Sequence, residues 1–293
     1  MRSDTSWIDK EEYPFQSRHL ELEMGRLHYI DEGEGSPIVM VHGTPTWSFE
    51  YRHLIKGLSN RYRCIAMDHI GFGLSDKPSE WSYLPEAHAR NVEALIESLG
   101  LEDITLVVHD FGGPIGLSYA IRHPNNVKHI VIMNSWMWSL KDESKFKWSS
   151  RFLGGPVGRL LYRQMNFSPR VLMKMIVGDK SKLPKHIHDH YLKALPTPRE
   201  RKGTWVFAKE LVASSDWYDS LWSERGSIDD MRTLVIWGMK DSTFAKRELE
   251  RWESFLTDGQ AIQLNDIGHF VPEEMGDALP PIIAKFLEAQ SVT

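Results

Sequence analysis

The chain has 293 residues, 41% hydrophobic and 26% charged, with a net charge of −5, a profile of globular rather than disordered or fibrous proteins. No basic block suits nucleic acid and no apolar run nears the roughly 18 residues that span a bilayer, so neither a nucleic-acid nor a membrane partner is expected. Cys64 is the only cysteine, which excludes an intramolecular disulfide and a cysteine-rich metal site. The opening "MRSDTSWIDKEEYPFQ" lacks the apolar core of a secretion signal, so a cytoplasmic location is expected.

In chain order, "RLHYIDEG" (Arg26 to Gly33) reads as a strand ending in a turn, and Ile38 to Val41 as a short strand that stops at His42-Gly43. Continuous apolar runs of this length suit strands buried on both faces. A strand near Cys64 to Met67 follows, then the helix "PEAHARNVEALIESLGL" with a glycine stop. "ITLVVHD" is a strand, "GPIGLSYAIRHP" a helix ending before Pro124, and "VKHIVIMNS" another strand. "RTLVIWGMKD" and "QAIQLNDIGHF" supply the last two strands, and "LPPIIAKFLEAQ" a closing helix. Strands alternating with helices predict an α/β protein, with a mostly parallel sheet covered by helices on both faces.

The alternation breaks over residues 139–220, where helix formers dominate and Trp, Met and Leu are frequent. This segment is expected to be a helical cap inserted between two parts of the core domain, 1–138 and 221–293. Ligand sites of open α/β sheets lie beyond the strand carboxyl ends, which puts a lid within reach of the site. A plain helical subdomain without a binding role is the alternative.

Polar residues fall at four strand ends: His42-Gly43-Thr44, Asp110, Asp241 and His269. Each is a weak signal alone, since an Asp ending a strand is often a helix cap. Their order, a nucleophile followed by an acid and then a histidine, is that of a hydrolase triad. With "VHGTPTWSFEYR", "DHIGFGLSDKP", "VVHDFGGPIGL", "VIWGMKD" and "DIGHFVPEE", the chain resembles the α/β-hydrolase fold, and within it the haloalkane dehalogenases of the branch whose acid follows the later strand. The resemblance runs from about Gly25 to the C-terminus. It implies Asp110 as nucleophile, His269 as the base that activates water and Asp241 as the acid that orients His269. The acid position used by other branches falls near Asn134, which cannot serve. The backbone N–H groups of Thr44 and Phe111 are the expected oxyanion donors.

An aspartate nucleophile selects a reaction. Attack on a carbonyl would form an anhydride, whereas attack on a saturated carbon forms an ordinary ester. Water then cleaves that ester at the Asp110 carboxyl carbon with His269 as general base. Hydrolytic dehalogenation of haloalkanes is the leading expectation; epoxides and β-lactones opened at the alkyl carbon are alternatives on the same triad. The expected partners are thus a small apolar substrate and water, with no metal or organic cofactor, and the oligomeric state stays open.

Two positions depart from the dehalogenase pattern. The residue after the nucleophile is usually Trp, whose indole N–H holds the halide, and here it is Phe111, which has no donor. The Asn that often follows His-Gly is Thr44. Thr44 and the tryptophans Trp136, Trp138 and Trp148 are candidate halide donors, and Trp47 matches a family position. An epoxide hydrolase needs two cap tyrosines, for which Tyr162, Tyr191 and Tyr218 are candidates. A ligand-binding protein on a hydrolase fold is the non-enzymatic alternative; it has no need of His269 and Asp241 together.

Overall fold

The computed structural model describes residues 5–289. Eight strands form one sheet: β1 (Arg18–Leu22), β2 (Gly25–Glu32), β3 (Pro37–Val41), β4 (Arg63–Met67), β5 (Ile104–Asp110), β6 (Val127–Ser135), β7 (Arg232–Gly238) and β8 (Gly259–Leu264). Their order is β1-β2-β4-β3-β5-β6-β7-β8. The first two pairings are antiparallel and all others parallel. The expected strands are all present, and β1 is an addition. Its "RHLEL" is an edge strand with mostly exposed side chains, so it carries no apolar signal to read.

β5 and β7 are buried along their whole length, as unbroken apolar runs predict. Alternate β5 side chains enter opposite layers. Leu106 and Val108 pack with Val92 and Leu95 of α2 (Pro85–Ser98) and Ile115 of α3 (Gly112–Arg122). Val107 packs in the opposite layer with Leu54 of α1 (Arg52–Leu58). Period-two geometry puts helices on both faces of the sheet.

Between β6 and β7 lie α4 (Ser144–Gly154), α5 (Pro156–Met165), α6 (Met173–Ile176), α7 (Lys185–Lys193), α8 (Lys202–Ala213) and α9 (Ser215–Ser223). After β7 come α10 (Lys246–Phe255), α11 (Val271–Met275) and α12 (Leu279–Glu288). A Gly at 158 lets α5 start against α4: a Cβ there would stand 1.8 Å from the Leu153 carbonyl oxygen.

A buried ion pair and its neighbours tie four parts of the chain together. The Arg52 guanidinium donates to both Glu273 oxygens, at 2.8 and 2.6 Å, and to Glu12 at 3.1 Å. The Tyr191 hydroxyl of α7 donates to the same Glu273. Glu273 lies in α11, four residues beyond His269, so the network anchors the histidine loop to α1 and to α7. A bidentate guanidinium offsets its desolvation only while its carboxylate is present. Glu273→Ala leaves that guanidinium buried with the half-buried Glu12 as its one remaining counter-charge and is expected to cost about 3–5 kcal/mol, read as a lowered urea midpoint at unchanged slope.

Candidate active site

The site is built from the carboxyl ends of β3, β5, β7 and the loop after β8. Asp110 ends β5 in a left-handed conformation, φ +51°, uncommon for a residue with a Cβ. This turns its carboxylate away from the sheet as α3 begins. The crossing is so tight that only glycines fit beside it. A Cβ at Gly112 would lie 1.9 Å from the Val41 carbonyl oxygen, and one at Gly43 would lie 2.2 Å from Asp110 Oδ1. The Ser135 hydroxyl donates to the Asp110 carbonyl at 2.6 Å, and the Thr44 N–H donates to Asp110 Oδ1 at 2.8 Å.

His269 stands between two carboxylates. Its Nδ1 is 2.7 Å from Asp241 Oδ2, and its Nε2 is 3.4 Å from Asp110 Oδ2. All three residues are buried. Burial alone would push the imidazole pKa down, but Asp241 and then Asp110 outweigh it and raise it to about 10. Burial likewise favours the neutral form of Asp241, yet His269, the Thr243 N–H and Asn134 hold its carboxyl below the ordinary range.

Three residues support this arrangement that sequence reasoning left unassigned. Asn134, φ +31°, donates its amide to Asp241 Oδ2 at 2.9 Å and to the Gly238 carbonyl at 3.1 Å, and accepts the Gly238 N–H at 2.7 Å. It occupies the rival position and holds the Asp241 carboxylate instead. His109 Nε2–H donates to the His269 carbonyl at 2.9 Å, and its Nδ1 lies 3.2 Å from buried Glu50. Glu274 accepts the N–H groups of Gly178, Asp179 and Gly268 at 2.9 to 3.1 Å. The His269 N–H donates to the Ile176 carbonyl at 3.1 Å. The segment after α6 is therefore fastened to the histidine loop on both sides of Gly268. Glu274 was legible only as a member of "GHFVPEE"; its partners are far away in sequence.

A cavity of about 280 Å³ lies over these groups. Thr44, Asp110, Phe111 and His269 line one side, and Phe146, Leu153, Tyr162, Met173 and Ile176 the other. At roughly 30 Å³ per water, it holds a substrate of about ten heavy atoms. The Thr44 hydroxyl is buried without a hydrogen-bond partner. The Tyr162 phenol lines the same cavity; burial and the Asp110 charge raise its pKa well above the ordinary range, so it stays protonated and able to donate. Tyr191 and Tyr218 do not line it, and their hydroxyls donate to Glu273 and to the Glu210 carbonyl.

The three tryptophans proposed as halide donors are elsewhere. Trp136 is fully buried between Phe111 and Phe244, with ring centroids 4.8 and 4.7 Å away. Trp138 is held by Trp222, Trp252 and the Arg251 guanidinium. Trp148 is 73% exposed and turned away from the cavity. Packing, rather than sequence position, decided where each indole points. Trp47 is also fully buried, stacked on Phe49. Among the described residues no cluster of His, Cys, Asp or Glu has the arrangement to hold a metal ion.

Comparison with known proteins agrees with this architecture. Residues 36–274 match the α/β-hydrolase fold family. Haloalkane dehalogenase 2 of Mycobacterium tuberculosis is 34% identical over 277 residues, covering 94% of this chain and 96% of the relative. The cis-3-alkyl-4-alkyloxetan-2-one decarboxylase of Shewanella oneidensis is 35% identical over 286 residues, covering 94% and 89%. The crystal structure of the ancestral haloalkane dehalogenase AncHLD2 superposes with a TM-score of 0.82 at 26% identity, over 93% of this chain and all of that one. The chain belongs to the α/β-hydrolase fold family and, within it, to the haloalkane dehalogenases. It is an enzyme of that type.

The two-carboxylate environment of His269 has a measurable consequence. Its folded pKa, about 10, exceeds its ordinary 6.5. The imidazolium therefore contributes stability that is full below pH 6.5 and is lost as pH rises through about 10. Asp110→Asn removes one of the two charges. By proton NMR, His269 in this variant is expected to titrate well below its wild-type value, and the loss of stability across that pH window is expected to shrink.

Proposed function

We propose that this enzyme displaces a leaving group from a saturated carbon with Asp110 and then hydrolyses the resulting ester, with haloalkanes as the leading substrates. The observation that carries the reading is the Asp110 carboxylate at the bend after β5, 3.4 Å from His269 Nε2 and facing an apolar cavity. In the first step one Asp110 oxygen bonds the substrate carbon as the halide leaves with the bonding electrons. The ester formed is neutral, so His269 then faces Asp241 alone. Its affinity for a proton falls as the ester forms, which releases it to act as a base when a base is needed. Water attacks the Asp110 carboxyl carbon, His269 takes its proton, and the N–H groups of Thr44 and Phe111 receive the oxyanion. The helices over the cavity, within residues 139–220, act as the cap, with 1–138 and 221–293 as the core. The single, buried Cys64 suits a reducing compartment, and we place the enzyme in the cytoplasm.

A second reading is favoured by the hydroxyls that line the cavity. Among the described residues no Trp lines the cavity, the unpartnered Trp136 indole N–H lying behind Phe111, whereas Thr44 and Tyr162 line it with O–H groups. Such donors suit an oxygen leaving group. Asp110 attack at the alkyl carbon of a β-lactone would break the ring C–O bond and free a carboxylate. Loss of CO2 would then form the alkene as Asp110 departs. The identity to an oxetanone decarboxylase supports keeping this substrate beside the haloalkanes. Epoxide opening by a tyrosine pair has less support, since Tyr162 stands in the cavity without Tyr191 or Tyr218.

His269→Phe removes the base but keeps the nucleophile. Intact-protein mass spectrometry with a bromoalkane is expected to show the mass of one alkyl group on Asp110, with turnover lowered by about 10²–10⁴. An unmodified variant that still turns over substrate would end the triad reading.

Phe111→Trp and Tyr162→Phe separate the two substrate classes. If halide departure limits the enzyme, Phe111→Trp raises bromide release by a factor approaching 10², the scale of one oriented donor. Tyr162→Phe is expected to slow opening of a dialkyl oxetanone about as much, and bromoalkane turnover less. Equal effects on both substrates would show that the phenol does not select the leaving group.

A further inference from the structure

The outer faces of the helices that roof the cavity carry a feature the reaction does not use. Among the described residues, every large hydrophobic side chain with high exposure except Leu84 falls between Trp148 and Met175. Trp148 is 73% exposed, Met175 68% and Phe152 58%, and Val157, Leu160 and Met165 are also exposed. Folded monomers seldom leave such groups clustered without a partner.

The charges of the same segment are one-sided. Residues 144–178 contain seven Lys or Arg and no Asp or Glu. Of the net −5, these 35 residues contribute +7 and the rest −12. Lys145, Lys147, Arg151, Arg159, Arg170 and Lys174 are exposed. Each of the twenty-two salt bridges in the described residues lies outside this set. Basic and large apolar side chains share the outward stripe of α4, where Lys147, Trp148, Arg151 and Phe152 are exposed while Phe146 and Ser150 face inward. A groove of about 630 Å³ at the α4–α5 junction continues it, with Leu160 and Trp205 along its wall beside Arg159 and Arg163.

We propose that this face, residues 144–175, docks the enzyme on an anionic lipid bilayer. The chemistry is that of an interfacial helix, with aromatic and aliphatic side chains entering the headgroup region and flanking cations paired with lipid anions. A second copy of the chain is disfavoured as the occupant, because a two-fold contact would set seven cations against seven. The opposite faces of these helices line the cavity, so the bilayer that holds apolar substrates would lie directly over the chamber that consumes them. The expectation of no membrane partner rested on the lack of a spanning run, and no described helix is long and apolar enough to cross a bilayer. Lying on one has no such requirement.

The experiment is co-sedimentation of the full chain with vesicles of phosphatidylcholine alone, or of phosphatidylcholine and phosphatidylglycerol in equal parts. Binding is read without turnover, so the result is independent of the substrate assignment. Wild type is expected to pellet with the anionic vesicles, weakly or not at all with the neutral ones, and less as salt is raised. Lys147→Gln with Arg151→Gln is expected to weaken binding by about thirtyfold, roughly fivefold per cation. Trp148→Ser with Phe152→Ser is expected to abolish it while thermal unfolding stays unchanged. Failure of wild type to bind anionic vesicles, equal binding to neutral ones, or variants that bind like wild type would each overturn the proposal. So would self-association that Trp148→Ser with Phe152→Ser removes, which would make the covering partner a second copy.

Discussion

The structure is organised around one imidazole held between two buried carboxylates. An isolated buried charge is costly, and three of them together are tolerable only when each has its partners in place. Most of the surrounding architecture supplies those partners. Asn134 and the Thr243 N–H, at 2.6 Å, hold Asp241; the Thr44 N–H holds Asp110; the His109 ring holds the His269 carbonyl. The tight glycines serve the same end, since Gly43 lets the turn after β3 approach Asp110 closely enough for the Thr44 N–H to donate to it, and Gly112 lets α3 start against Val41.

That constraint would also order the proposed reaction. While both carboxylates are charged, His269 holds its proton. Esterification of Asp110, as proposed, would remove one charge and turn the histidine into the acceptor that hydrolysis requires. The base would thus be switched on by the intermediate it must cleave. The same logic explains why Asp241 is fixed from three sides while the Asp110 carboxylate takes the Thr44 N–H, faces His269 Nε2 at 3.4 Å and otherwise opens to the cavity.

The parallel strands and the ordered polar residues at their ends were legible in the sequence because both are local signals. A buried strand is an unbroken apolar run, and a functional strand end is the polar residue that stops it. β1 was not legible, being an exposed edge strand without a run. Asn134 and Glu274 were not legible as supports because what they hold, Asp241 and the Gly178–Asp179 backbone, is about a hundred residues away in the chain. The tryptophans show the opposite failure. Their residue type suggested halide donors, but Trp136 and Trp138 were claimed by aromatic packing and Trp148 by the surface. The residues that do line the cavity with hydroxyls, Thr44 and Tyr162, carry no type signal, and the buried, unpartnered hydroxyl of Thr44 shows only in the folded site.

The proposed reaction requires the oxygen delivered to the product to pass through Asp110. A single turnover of the wild-type enzyme on a bromoalkane in ¹⁸O-labelled water tests this directly. With enzyme in excess, the first product alcohol should carry unlabelled oxygen from the Asp110 carboxylate, and the peptide containing Asp110 should carry the label. Labelled alcohol from the first turnover, with an unlabelled Asp110 peptide, would mean that water attacks the substrate itself and would contradict the account.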